Sequence, residues 1–546
     1  MKIPSTENAT LQENDGETVP PNSSGVKSVG KISAAIAISR ILGLVREVVL
    51  AKYFGAGFAA DAFYVAYRIP DMLRDLFMEG TLSAGLLPVF VRRMKTEGKN
   101  SAWLLANRLI NASLLLLGAA TLAIFFGAKI CVYLQAAGFA SIPGKLELSA
   151  QMIRVMSPFL LCVSLAAVFM GMLNACGSFF IPALSPSIFN VCCILSGVLL
   201  SPFMPGWGLE PVVSMAFGAL AGGIGQFVIM IPSARARGFR YRWTLDLFDP
   251  DLRRVGKLLI PAILGLSATQ INVIVDSQLA AQCGNGPISW LGYAFRLTQL
   301  PIGVFGIAIA TVAAANVAHY AAARDFAGLR LTLDSSLRLS ACLTFPAMVG
   351  LIIFRNEIVQ LLFQRDQFHS DDTLQTGWAL LCYAFALCAY SAIRIIAPAF
   401  YALGDNRTPF RFSMISVAVK VALSLILIKI IGFQGLAIST AAAAWLNCVW
   451  LRRRLIRAGG DSYGEKDGGQ YLRILLASLA MGLISWVVFQ GSFHIARSSG
   501  FSALAFRLGS AILAGIVSLI PLLRLFRARE ASELWRIVAK TAEKFR

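Results

Sequence analysis

The amino-acid sequence predicts an all-α polytopic membrane protein of about 14 transmembrane helices: two parallel-repeat six-helix lobes plus two C-terminal helices. Three observations carry this. Mean hydropathy is +0.68, with 57% hydrophobic and 14% charged residues, where a soluble domain is nearer about 25% charged. Apolar windows of roughly 20 residues, the length that crosses the hydrocarbon core, recur along the chain. Short motifs from the first half reappear in the second in the same order.

Residues 1–30 are expected as a cytoplasmic tail. They are polar and rich in Pro, Ser and Asn up to about residue 27, a disordered composition. They lack the basic-then-apolar pattern of a cleavable leader. The expected spans are 31–52, 60–91, 101–127, 147–176, 182–204 and 209–234 in an N-lobe over 31–235. In a C-lobe over 236–457 they are 254–282, 286–318, 328–354, 372–403, 408–431 and 433–451. The last two, 470–490 and 501–523, fall in 458–527, and residues 528–546 form a second cytoplasmic tail. Segments 128–139 and 356–364 read as interfacial pieces. Loop charge sets the orientation. The even-numbered connections and the C-terminal tail carry 28 Lys and Arg residues against 7 in the odd-numbered connections. Basic loops stay in the cytoplasm, so both termini are expected there.

The net charge of +20 belongs to these loop clusters, a positive-inside pattern rather than a nucleic-acid surface. The 10 cysteines form no C-x-x-C pair and mostly sit in apolar runs, where Cys behaves as a small apolar residue. The three histidines, His319, His369 and His494, are far apart. No metal site and no catalytic residues are expected, so the chain is read as a transporter and not an enzyme.

The repeat has three markers. FGAG (54–57) matches CGNG (283–286), AYRI (66–69) matches AFRL (294–297), and GSFFIP (177–182) matches GDNRTP (404–409), at offsets of 229, 228 and 227. Each copy holds six spans, an even number, so the copies share one orientation in the membrane. Transporters of this build bind substrate between the halves.

The stretch 39–80 carries Arg40, Arg46, Glu47, Asp61, Arg68, Arg74, Asp75 and Glu79 within apolar sequence. A charge at mid-membrane costs roughly 2.5–3.5 kcal/mol on insertion scales, so such groups face water, one another or a ligand. The repeat pairs Arg68 with Arg296 and Glu47 with Asp276. Arg40 lies roughly 14 Å into its span, with no acid within a turn. A cavity walled by these guanidinium groups suits a phosphorylated anion. Asp276 with Asn272, one turn earlier, is a coupling-ion candidate for Na+ or H+, and pairing of Asp276 with an arginine across the cavity is the competing reading. Arg46 beside Glu47, and Arg74 near Asp75, are also open to internal neutralisation.

The motifs S-R-x-L-G-x-x-R-[DE], F-G-A-G, D-A-F-x-V-A and F-x-E-G over 39–90 resemble the MurJ (MviN) family. So do S-W-x-x-Y-A-x-R (289–296), P-x-G-V-x-G (301–306) and A-P-x-F-Y-A-x-x-D-x-x-T-P (397–409). These are bacterial lipid II flippases of the multidrug/oligosaccharidyl-lipid/polysaccharide exporter superfamily. The resemblance implies fourteen helices, a central cavity, and an outer groove for the polyprenyl tail at the last two helices. It implies substrate-binding roles for Arg40, Arg46, Arg74 and Arg296, with Asp61 as acidic partner and Ser289 in the cavity; Arg68 and Glu47 join that set from the repeat. Phe295, Gln299 and Asp75 depart from the family pattern, which changes the local charge balance. The expected partners are undecaprenyl-diphosphate-linked disaccharide-peptide (lipid II) and membrane lipids, handled by a monomer in the bacterial cytoplasmic (inner) membrane. No cofactor is expected beyond a monovalent cation or the membrane potential. Two other readings stand beside this one: export of another polyprenyl-diphosphate-linked saccharide, and a membrane enzyme acting on polyprenyl phosphates.

Overall fold

The computed structural model describes residues 23–78, 81–246, 248–458, 468–495 and 500–532. Among these the chain is helical and has no strand. The first lobe holds α1 (Ser23–Phe54), α2 (Phe58–Met78), α3 (Thr81–Thr96), α4 (Lys99–Phe126), α5 (Ala128–Ala136), α6 (Lys145–Ala175), α7 (Phe180–Leu199), α8 (Val213–Val228) and α9 (Met230–Arg235). The second holds α10 (Pro250–Ala280), α11 (Pro287–Pro301), α12 (Ile307–Ala322), α13 (Phe326–Ile353), α14 (Arg355–Phe363), α15 (Ser370–Ala402), α16 (Arg407–Ile431) and α17 (Gln434–Ala458). A C-terminal pair, α18 (Gly468–Ile495) and α19 (Phe501–Leu525), follows.

Each expected span has a helix. The second span is covered by α2 and α3, with residues 79–80 outside the described residues, and the eighth is divided into α11 and α12, joined by a π-helical stretch at Ile302–Gly306 just after Pro301. A ring with no amide hydrogen breaks the regular ladder there. The chain is helical from Ser23, within the stretch expected as a tail; residues 1–22 and 533–546 lie outside the described residues. Among the described residues, nine helical segments are long and apolar enough to cross a membrane: α4, α6, α7, α8 with α9, α13, α15, α16, α18 and α19. The first, second, seventh, eighth and twelfth spans stand outside that set.

Packing repeats with the sequence. In the first lobe α6 is central, touching α2, α3, α4, α5 and α8, while α7 packs on α8 and α1. In the second, α15 touches α11, α12, α13, α14 and α17, while α16 packs on α17 and α10. The matched turns share a backbone conformation: Gly177 and Gly404 have φ of 74° and 77°, a left-handed geometry that glycine adopts without a Cβ penalty. Pro182 and Pro409 follow within the first turns of α7 and α16, where a missing amide hydrogen costs nothing.

The two ends of the molecule differ. Where α1 ends and α2 begins, few loops are basic; this is the sparse end. A single buried apolar core there runs through both lobes, including Leu50, Phe63 and Phe139 from the first and Leu279, Tyr293 and Phe363 from the second. Toward the opposite, basic end the core divides. Phe90, Trp103 and Phe169 belong to a cluster within the first lobe, and Leu333, Ile395 and Phe400 to one within the second.

One helix crosses that division. α10 packs on α3 and α5 as well as on α16. The segment leading to it, 239–246, is extended along α4. Asn107 donates to the Arg240 carbonyl and accepts from the Arg242 amide, at 3.0 and 3.1 Å. One turn later Asn111 donates to the carbonyls of Arg242 and Thr244, at 3.2 and 2.9 Å. Asp249 then caps α10 through the amides of Asp251 and Leu252, at 2.8 and 3.2 Å. It also pairs with Arg93 and Arg108 of the first lobe.

Candidate functional site

The charges predicted from sequence converge between the lobes on α1, α2, α10 and α11. Glu47 is a hub and is 2% exposed. Its Oε1 accepts from Arg46 Nη2 at 2.6 Å and from Arg296 Nε and Nη2 at 3.3 and 3.2 Å. Its Oε2 accepts from the Tyr64 hydroxyl at 2.6 Å. A carboxylate so deeply buried is tolerable because every direction holds a donor. Arg46 is itself buried, with its guanidinium over the rings of Tyr67 and Phe189 at 5.5 and 5.4 Å. Planar delocalised charge suits such stacking. Arg296 arrives from the other lobe with its side chain 45% exposed.

The repeat-related position holds a second such centre. Asp276 pairs with Lys420 of α16, whose Nζ also donates to Asn272 Oδ1 at 2.6 Å. The charge of Arg68, the repeat counterpart of Arg296, acts on Asp276 from the first lobe. Each lobe's second-span arginine therefore addresses the other lobe's first-span acid.

A third group closes the sparse end. Asp61, fully buried, accepts from Lys145 Nζ at 2.9 Å and from the Gly286 amide at 2.7 Å. Its other oxygen accepts from the amide and hydroxyl of Ser289, at 2.8 and 2.5 Å. A carboxylate of the first lobe thus caps the first turn of α11 in the second, where the helix dipole favours negative charge. Gly286 has φ of 109°, and an added Cβ would lie 2.3 Å from the Trp290 ring, so this docking turn has no space for a side chain. Lys145 Nζ extends the contact to Asn285 Oδ1 at 2.7 Å, and the Tyr293 hydroxyl donates to the Gly55 carbonyl at 2.9 Å.

Glu47, Arg46, Asp61 and Ser289 were expected to meet a ligand, but their polar groups are engaged with neighbours inside the protein. Burial explains it: an unsatisfied charge at 0–5% exposure would cost more than any of these contacts returns. The Asp276 and Asn272 oxygens expected to hold a coupling ion hold Lys420. Among the described residues, Arg40, Arg68 and Arg296 are at least partly exposed. Arg40 rests against the π-helical stretch of the other lobe: an added Cβ at Gly303 would lie 1.5 Å from its Nη1. The side chains of Arg74, Asp75 and Glu79 lie outside the described residues. Phe295 is exposed, with its ring edge-on to Tyr383 at 5.6 Å.

Lys145 and Tyr64 were not singled out as partners, and Lys420 was not matched to Asp276. For Lys420 a signal existed: at the offset of the Gly177–Gly404 turns it aligns with Cys193, and Cys193 lies beside Arg46.

A family profile described as "Lipid II flippase MurJ" matches residues 50–508. A protein of Vibrio cholerae described as a probable lipid II flippase MurJ is 33% identical over 508 residues, covering 91% of this chain and 95% of the relative. One of Haemophilus influenzae with the same description is 30% identical, covering 82% and 90%. Among solved structures, "Lipid II flippase MurJ, inward closed conformation" superposes with a TM-score of 0.75 at 26% identity, over 90% of this chain and 98% of that one.

Proposed function

The chain belongs to the lipid II flippase MurJ family, and from that premise we propose how this molecule carries lipid II across the bacterial cytoplasmic membrane. The lobes alternate access to a central space whose arginines engage the diphosphate. The observation that carries this is the divided core: the lobes share one apolar core at the sparse end and hold separate cores at the basic end, with Arg40, Arg68 and Arg296 assigned to the gap. By the loop charges the basic end and both termini are cytoplasmic, so the space opens toward the leaflet where lipid II is made.

Guanidinium forks match phosphate oxygens bidentately. A substrate shifts a two-state equilibrium only through different affinity for the two states. An empty space with three like charges resists narrowing, and a bound diphosphate removes that resistance. Closure at the basic end then permits release of the Asp61–Lys145–Ser289 contacts and opening at the sparse end. The polyprenyl tail stays in lipid along α18 and α19, whose outward positions include Leu479, Leu483, Leu513 and Val517, all exposed. The membrane potential, worth about 2.3 kcal/mol per charge per 100 mV, is the return force. The working unit is a monomer.

The test is lipid II exposure on the outer leaflet of a flippase-depleted strain. Arg40→Ala and Arg296→Ala should each lower it at least about tenfold, roughly 1.4 kcal/mol of lost binding, with normal amounts of protein in the membrane. Wild-type exposure from both variants would overturn the assignment of the diphosphate to these arginines. Equal transport of other polyprenyl-diphosphate saccharides would overturn the substrate choice.

A further inference from the structure

The two halves balance their buried acids by different means. In the first, Glu47 takes its cation from its own helix, Arg46. In the second, the counterpart of Arg46 is Val275, and the cation comes from α16 as Lys420. We propose that Lys420 is a tethered counter-cation filling a monovalent-cation site on α10, so that the transport cycle takes no solute cation there. This rests on the flippase reading only for its consequence in transport; the occupancy of the site can be measured without it.

The geometry is that of a filled site. Lys420 is 1% exposed. Its ammonium meets three oxygens of one face of α10: the Asp276 carboxylate, Asn272 Oδ1 at 2.6 Å and the Asn272 carbonyl at 3.4 Å. An ammonium has three donors and no acceptor; two hydrogen bonds go to Asn272 and the charge is paired with Asp276. One carboxylate, one amide oxygen and one backbone carbonyl are also the hard oxygen ligands that a small cation would take. A tethered ammonium is always present at high effective concentration, and a solute ion would have to displace it. Arg68, acting on Asp276 from the other lobe, further disfavours a second cation.

The experiment uses the full-length protein in lipid nanodiscs, with sodium chloride exchanged for choline chloride at constant ionic strength. The wild-type melting midpoint should be the same in both salts. Lys420→Met should gain a sodium-dependent rise of about 3 °C or more, because binding to the folded state alone raises stability by mass action. Lys420→Met combined with Asp276→Asn should lose that rise. If the Met variant does not fold, Lys420→Gln, whose amide can still reach Asn272, takes its place. A sodium-dependent rise in the wild type that Asp276→Asn abolishes would overturn the proposal, as would a Lys420→Met or Lys420→Gln protein blind to sodium. In vesicles with the potential clamped, lipid II exposure should proceed equally fast in sodium and choline, and a sodium requirement would overturn it. Absence of exposure in either salt would count against the flippase reading alone, with the melting data still deciding the role of Lys420.

Discussion

At the scale of single residues, the charges between the lobes divide into those that are internally neutralised and those that are not. Glu47→Ala should cost about 3–5 kcal/mol of stability, because it strands a buried guanidinium. The loss is read as a lower unfolding midpoint in detergent, and an unchanged midpoint would show that Arg46 has found water instead. The sequence located the acids well: the repeat pointed to Glu47 and Asp276 as equivalents. It left their partners unreadable where chain separation is large. Lys145 is 84 residues from Asp61, and Lys420 is 148 from Asn272. Apolar periodicity has nothing to say about such pairs. It also could not tell a ligand-facing arginine from one clamped between rings, since Arg40 and Arg46 lie on the same helix and differ only in what packs against them.

At the scale of elements, the spans were legible because roughly 20 apolar residues can be read directly. The division within the eighth span was not, since a proline inside an apolar run is compatible with either a bend or a break. The link between the lobes was read only as a basic loop, yet it is fastened along α4 by two asparagines one turn apart and ends in the Asp249 cap of α10. Burial alone would raise the Asp249 carboxyl. The amides of Leu252 and Asp251 and the guanidinium groups of Arg108 and Arg93 outweigh it and hold the carboxyl below its ordinary value of 3.8. A depressed carboxyl contributes stability that is present above about pH 4 and is lost as pH falls through the lower folded value. Fluorescence transfer between probes on α3 and the start of α10 should accordingly stay constant from neutral pH to about pH 4 and drop below it. Asp249→Asn should show the weakened contact already at neutral pH. A pH-independent signal in the native protein would remove Asp249 from the latch.

At the scale of the whole molecule, the repeat announced two lobes, and their parallel packing follows from it. What the repeat did not announce is where they are joined, since a shared core and a divided core use the same apolar residues. With Asp61→Cys and Ser289→Cys introduced together, a short thiol crosslinker should hold the sparse end shut and abolish lipid II exposure, and a reducible crosslinker should restore it on reduction. Undiminished exposure in the crosslinked protein would mean that the sparse end does not open during transport. The ionic contact between the lobes, Arg296 on Glu47, carries a consequence for anyone recombining this protein. A half in which that arginine or acid is replaced leaves the buried charge of the other half without its partner, so chimeras joined near residue 236 should function only where both halves keep the pair. The two halves form a single unit of inheritance, in which a charge altered on one side calls for its correction on the other.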